Sequence, residues 1–192
     1  MYIPMGDENS IEYINELVRG AQGGDENSLG RLYELLSVRV YRYLITRVSH
    51  RETAEDLMQT AFLEMIRSLS RYKIRAGAKF TTWLFQIVRH RLIDHYRRQK
   101  IVLPLDETVE SHPDLQTDPA PPDVGESSKQ VLSALGTLPE RQQTILHLFY
   151  QEEMSPSEIA EVMNMSAISV RVEKHRAINK IRYLFVEGGT TI

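Results

Sequence analysis

The chain of 192 residues contains no cysteine. That absence excludes disulfides, thiol nucleophiles, iron–sulfur clusters and thiolate zinc sites, and it fits a reducing cytosol. No apolar run approaches the roughly 20 residues that cross a bilayer. The first ten residues, MYIPMGDENS, have neither the basic start nor the apolar stretch of a secretory signal. A cytoplasmic protein with no membrane insertion is therefore expected. Phosphate-cradling loops are missing too: Gly20, Gly23, Gly24 and Gly30 have neither the P-loop nor the dinucleotide spacing. There is no H-E-x-x-H and no E-x-x-H, so helical zinc and di-metal carboxylate sites lack their ligands. His90, Asp94 and His95 fall within about one and a half helical turns, but the arginines around them would repel a cation. Glu55, Asp56 and Glu64 read as surface charges rather than an acid–base pair. These absences predict no catalytic residue, no metal and no cofactor: the protein is not expected to be an enzyme.

Net charge is small as well, −3 with a pI near 6.1, which on average argues against nucleic acid. The average conceals blocks. Residues 71–100 carry nine bases and one acid, residues 101–128 seven acids and no base, and residues 166–192 five bases and two acids. A polyanion responds to such local fields, not to the bulk value. The acidic block also holds Pro104, Pro113, Pro119, Pro121 and Pro122 and no aromatic residue. Like-charge repulsion and proline stiffness make it an extended linker. The expected division is 1–100, a linker over 101–127, and 128–192.

Both flanking parts read as helical, so the expected class is all-α with two small domains. Ser10 is placed to cap a helix with Ile11, Ile14, Leu17 and Val18 on one face, stopped by Gly23 and Gly24. A second helix spans about Ser28 to Val48, with Leu29, Leu32, Leu36, Val40 and Tyr43 inward. Ser49 and Glu52 form an S-x-x-E box opening a third, to about Tyr72. Its stripe Ala54, Leu57, Ala61, Met65, Leu69 is accompanied by a second, Met58, Phe62, Ile66, as in a helix that offers a face to a partner. After the basic loop Lys73–Lys79, a fourth helix runs from Phe80 to about Arg98. In the C-terminal part, Ser127–Leu135 reads as a short helix, and Thr137-x-x-Glu140 opens another carrying Ile145, Leu148 and Phe149. Ser155-Pro156-Ser157-Glu158 is the strongest helix start in the chain. Asn164 is a left-handed stop, and Ser166 caps a last helix with Val170, Ala177, Ile181 and Leu184 inward.

Two features point to nucleic acid. Pro156–Met163, a three-residue turn and a long basic helix have the proportions of a helix-turn-helix. On that last helix Ser169, Arg171, Val172, His175 and Arg176 would meet base edges or phosphates; the plainer alternative is a helical hairpin with a charged outer face. The second feature is Tyr72–Lys100, where Phe80, Trp83, Phe85 and Tyr96 are interleaved with bases. Unstacked bases gain about 1–3 kcal/mol each by stacking on aromatic rings, and cations hold the phosphates. Phe85 reads as core; for Trp83, core and single-strand contact are equally good readings.

Four ordered segments carry a resemblance. Ala54-Glu55-Asp56-Leu57-Met58-Gln59-Thr60-Ala61-Phe62-Leu63 resembles A-E-D-L-x-Q-x-x-F. Phe80-Thr81-Thr82-Trp83-Leu84 through Arg97-Arg98 resembles F-x-x-W-L-x-x-I-x-x-N-x-x-x-D-x-x-R-R. Leu138-Pro139-Glu140-Arg141-Gln142 and Glu158-Ile159-Ala160 resemble the opening and the helix-turn-helix of a second domain. Together they resemble bacterial sigma factors of the extracytoplasmic function (ECF) type, in the sigma-70 superfamily, over nearly the whole chain. The resemblance implies a four-helix sigma region 2 and a helix-turn-helix sigma region 4 on an acidic linker. It implies that Asp56, Gln59 and Phe62 grip the coiled coil of the largest subunit of core RNA polymerase. It further implies that Lys73, Arg75, Lys79, Phe80, Trp83, His90, Asp94, Arg97 and Arg98 capture the melted −10 strand of promoter DNA. Ser169, Arg171, Val172, His175 and Arg176 would read the −35 duplex, with region 4 on the flap of the second-largest subunit and an anti-sigma factor as regulator. Three positions depart from the pattern: His90 replaces a common asparagine, Ile168 a frequent glycine, and Glu173 a usual base.

Two other readings compete. A stand-alone helix-turn-helix regulator with an N-terminal sensing or oligomerising bundle would bind duplex tightly without polymerase. A helical hydrolase with an appended binding module would need the metal or nucleophile constellation that is missing.

Overall fold

A computed structural model describes residues 10–48, 50–75, 77–102, 131 and 133–187. The chain divides into two units, 1–110 and 111–192. The expected linker lies, from residue 103 on, outside the described residues, as do Ser49 and the start of the helix expected from Ser127.

In the first unit, α1 (Ile11–Gln22) starts from Ser10, whose hydroxyl accepts from the Tyr13 amide. It buries Ile14 and Val18 and ends at Gly23. Gly24 follows at φ +89, a left-handed conformation that glycine adopts without steric cost. α2 (Glu26–Ile45) begins two residues before the expected Ser28, because the Asp25 carboxylate accepts from the Asn27 and Ser28 amides and is the cap. The Ser28 hydroxyl, which also donates to this carboxylate, and then the two amides hold the Asp25 carboxyl below its ordinary pKa, against the opposing effect of desolvation. α3 (Arg51–Leu69) starts from His50, with no side-chain capping bond. It ends three residues before the expected Tyr72. α4 (Phe80–Val102) runs four residues past Arg98 and into the segment assigned to the linker. Nothing from Gln99 to Val102 breaks a helix, and the first proline of that segment is Pro104.

α2 packs on α1 and α3, and α3 on α4. The core is Leu32, Leu36, Val40, Tyr43 and Leu44 of α2, Ala54, Ala61, Met65 and Leu69 of α3, and Leu84, Phe85, Val88 and Leu92 of α4. Tyr43 and Phe85 meet edge to face at 5.4 Å. Each fully buried large apolar side chain contributes about 1.5–3 kcal/mol of transfer free energy.

In the second unit, residues 133–136 are helical. α5 (Glu140–Tyr150) starts from Pro139 without a side-chain cap. Thr137, the expected cap, instead donates its hydroxyl to the Ala134 carbonyl at 2.8 Å. α6 (Pro156–Met163) opens on the expected reciprocal box: Ser155 Oγ accepts from the Glu158 amide, and Glu158 accepts from the Ser155 amide. Asn164 closes it at φ 52. α7 (Ala167–Glu187) starts under Ser166, whose hydroxyl accepts from the Ser169 amide. Its buried residues are Val170 and Ala177; Leu184, expected inside, is exposed. It lies seven residues beyond Ala177, whereas the packed cluster of Leu138, Leu146 and Ala177 reaches only to Ile181.

Candidate polymerase and nucleic-acid interfaces

The outer side of α3 is the first candidate surface. Asp56 and Gln59 are exposed. Phe62 departs from expectation: it is 3 % exposed, with its ring 4.8 Å from that of Tyr33. The position next to Ala61 turns it into the α2–α3 seam, where α2 covers it. Two residues absent from the expected site take its place on the surface, Leu63 at 53 % and Ile66 at 44 % exposure. Residues 56, 59, 63 and 66 are spaced by three, four and three, which places them on one stripe of a helix. The signal for Leu63 was therefore in the sequence, seven residues after Asp56. Nearby charges are paired: Arg51 with Glu55 at 2.8 Å, and Glu64 with Arg91 of α4 at 2.6 Å.

The second surface is the 73–79 loop with α4. Tyr72, Phe80 and Trp83 form a three-ring cluster. Tyr72 lies 4.7 Å from Trp83 and 5.2 Å from Phe80, and Phe80 lies 5.3 Å from Trp83. Phe80, expected to touch DNA, is 1 % exposed and forms the cluster's floor. Trp83 is half-buried, so one part of its ring packs and another faces solvent. Phe85 is core, as expected. The Tyr72 hydroxyl is buried, which raises its pKa, while the nearby Arg75 charge lowers it. Lys73 and Arg75 are exposed, Lys79 is half-buried, and Gly77 turns the loop at φ +76. Along α4, Trp83, His90, Asp94 and Arg97 recur at seven, four and three residues and so share a face. His90, Arg97 and Arg98 are exposed. Asp94 is half-buried and paired with Arg91 at 3.4 Å.

The third surface is the outer face of α7. Ser169, Arg171, Val172, His175 and Arg176 are all exposed. Ile168 stands beside them at 70 % exposure. Ser169 Oγ lies 2.8 Å from Ser166 Oγ, and the His175 ring is bonded to Asn179 at 2.9 Å. Glu173, which stands where the resemblance leads one to expect a base, is largely covered. Its carboxylate accepts from Gln142 of α5 at 2.9 Å and pairs with Arg176 at 3.1 Å. The Gln142 bond, aided by Arg176 and Arg141 and opposed by burial, holds its pKa below the ordinary value. Glu173 thus ties α7 to α5 and orients Arg176. Lys174 sits 3.6 Å over the Phe149 ring.

No described helix is long and apolar enough to cross a membrane, and no three described His, Asp or Glu side chains cluster as a metal site.

These three faces, two on one unit and one on the other, are the candidate interfaces of a helical protein. Residues 32–101 match the family Sigma-70 region 2, and residues 128–181 match Sigma-70, region 4. The chain is 30 % identical over 186 residues to the ECF RNA polymerase sigma factor BldN of Streptomyces coelicolor, covering 94 % of this chain and 69 % of that one. It is 32 % identical over 168 residues to the ECF RNA polymerase sigma factor SigF of Caulobacter vibrioides, covering 86 % and 89 %. The chain belongs to the ECF sigma factors of the sigma-70 superfamily. Two solved structures share its fold at 20 % identity. They are CnrH in complex with the cytosolic domain of CnrY (TM-score 0.64, 90 % of this chain and 96 % of that one) and Bartonella quintana RpoE in complex with the anti-sigma factor NepR (TM-score 0.61, 80 % and 93 %).

Proposed function

We propose that this chain is a dissociable specificity subunit: it binds core RNA polymerase and directs promoter-specific transcription initiation. Asp56, Gln59, Leu63 and Ile66 would dock the largest subunit's coiled coil. The 73–79 loop, Trp83, His90, Asp94, Arg97 and Arg98 would hold the melted −10 strand, with Phe80 supporting Trp83 from below. Ser169, Arg171, Val172, His175 and Arg176 would read the −35 duplex, and the second unit would also meet the flap of the second-largest subunit. Domain boundaries near 100 and 128 suit this division. The polymerase, not this chain, then supplies the catalysis, and the site of action is the cytoplasm. An anti-sigma factor would restrain it by covering the same faces; the RpoE structure above holds the anti-sigma factor NepR.

The observation that carries this reading is the exposed α3 stripe. A stand-alone duplex-binding regulator that does not oligomerise through this face has no use for Asp56 and Gln59 beside two uncovered aliphatic side chains. Energetics agree. Unstacking a base costs a few kcal/mol, an amount that stacking on Trp83 and phosphate contacts can offset. Two modules on one linker raise each other's effective concentration at a promoter. Co-elution of the purified chain with bacterial core polymerase on gel filtration tests the proposal. Wild type should co-elute, and Asp56→Ala/Gln59→Ala should not. A folded wild type that ignores the polymerase yet binds duplex tightly would replace this reading with the autonomous regulator.

A further inference from the structure

We infer that Gln22, the last residue of α1, is a positioning residue for the promoter-melting surface, so that the first helix takes part in opening DNA; this rests on the −10 reading above. The side-chain amide of Gln22 donates to the Leu69 carbonyl at 2.8 Å and to the Tyr72 carbonyl at 2.7 Å. An amide nitrogen has two hydrogens, and both are used. Leu69 ends α3, so its carbonyl is among those a helix leaves without an internal partner. The same carbonyl accepts from the Tyr72 amide at 3.0 Å. Gln22 therefore clasps the turn from α3 into the loop at both ends. It fixes the Tyr72 backbone one residue before Lys73, while the Tyr72 ring packs against Trp83.

The clasp is itself held. α1 is anchored by buried Ile14 and Val18. At Gly20 an added Cβ would come within 2.9 Å of Ser28 Cβ, and the Gly20 carbonyl accepts from the Asp25 amide at 3.0 Å. The end of α1 thus sits close against α2, with little room to shift. Gln22 also lies before the 32–101 segment matched to Sigma-70 region 2, so that match carries no role for it.

Trp83 is the only tryptophan, and its emission in the full-length protein reports the Tyr72–Trp83 contact directly. Three variants separate donation from shape. Gln22→Glu keeps the shape and presents only acceptors to two carbonyls. Gln22→Ala removes the group. Gln22→Lys keeps a donor, with a charge suited to a helix C-terminus. The DNA probe is a duplex with a melted bubble, selected from a random-sequence pool by holoenzyme assembled with wild type. Gln22→Glu and Gln22→Ala should change Trp83 emission and weaken holoenzyme binding to that duplex by about threefold to tenfold, the factor an ordinary hydrogen bond is worth. Gln22→Lys should stay within about twofold of wild type, and co-elution with core polymerase should be unchanged in all three. Unaltered Trp83 emission or unaltered bubble binding in Gln22→Glu would overturn the inference. A wild-type holoenzyme that selects no bubble duplex would instead overturn the −10 reading itself.

Discussion

The two units of this chain use buried volume and directed polar bonds in different proportion. The first buries aromatic and aliphatic bulk: Tyr43, Phe80, Phe85, Leu32, Leu36, Leu84 and Leu92 are all fully covered. The second includes two short helices, α5 and α6, and its largest fully buried side chains are Ile145, Leu148 and Met154. It compensates with directed polar bonds: the Ser155–Glu158 box, the left-handed Asn164, the Gln142–Glu173–Arg176 chain and Lys180 donating to the Thr137 carbonyl at 2.8 Å. The difference follows from size. A short helix buries little area, so its end groups weigh more in its stability. A long helix buried along its length is held by side-chain volume.

The sharpest way to break that contrast is to remove volume from the first unit. Phe85→Ala should destabilise it by about 3–5 kcal/mol, the range for truncating a buried phenylalanine, read as a shift in the urea midpoint of Trp83 fluorescence. A loss below about 1 kcal/mol would mean the aromatic core is not what holds this unit. Next in size, Asn164→Val should cost the second unit roughly 1–2 kcal/mol, since a branched residue resists the left-handed conformation, whereas Asn164→Gly should cost little; thermal melts by circular dichroism decide. Ser155→Ala should cost about 1 kcal/mol by the same readout.

Smaller effects sharpen the roles of the charged groups. Arg171→Ala should weaken −35 duplex binding by holoenzyme and lower the salt slope by about one unit if Arg171 meets a phosphate; an unchanged slope with relaxed sequence preference would make it a base reader instead. Glu173 gives a pH test. Its pKa is lower folded than the ordinary 4.5, so its contribution is present above that value and is lost as pH falls through the folded one. The stability gap between wild type and Glu173→Gln should therefore narrow on acidification below about pH 4.5. A gap that is constant with pH would remove charge from the account of this tie.

Much of this was legible without coordinates. Ser10, Ser155, Pro156, Glu158, Asn164 and Ser166 announced their helix ends, because capping is a local exchange between neighbouring residues. The helix-turn-helix, the basic blocks and the core assignments of Leu32, Leu36, Met65 and Val170 followed from period and charge. Thr137 shows the limit even of local signals: its S/T-x-x-E pattern was present, but the backbone closed at Pro139 and the hydroxyl turned back to Ala134.

What the sequence determined by itself is therefore everything that one helix, or the turn beside it, decides: helix type and approximate ends, the polar and apolar faces, and which blocks attract a polyanion. The tertiary structure alone decided which member of each candidate set meets solvent. Period marks Phe62 and Ile66 alike as a second stripe, but only Phe62 has Tyr33 of a neighbouring helix over it. It marks Phe80 and Trp83 alike as aromatic, but only Phe80 lies beneath the other rings. Glu173 became a tie, and Gln22 a clasp, through partners 31 and up to 50 residues away. Periodicity describes the geometry of a single helix. Burial and hydrogen bonding depend on what the fold places against it.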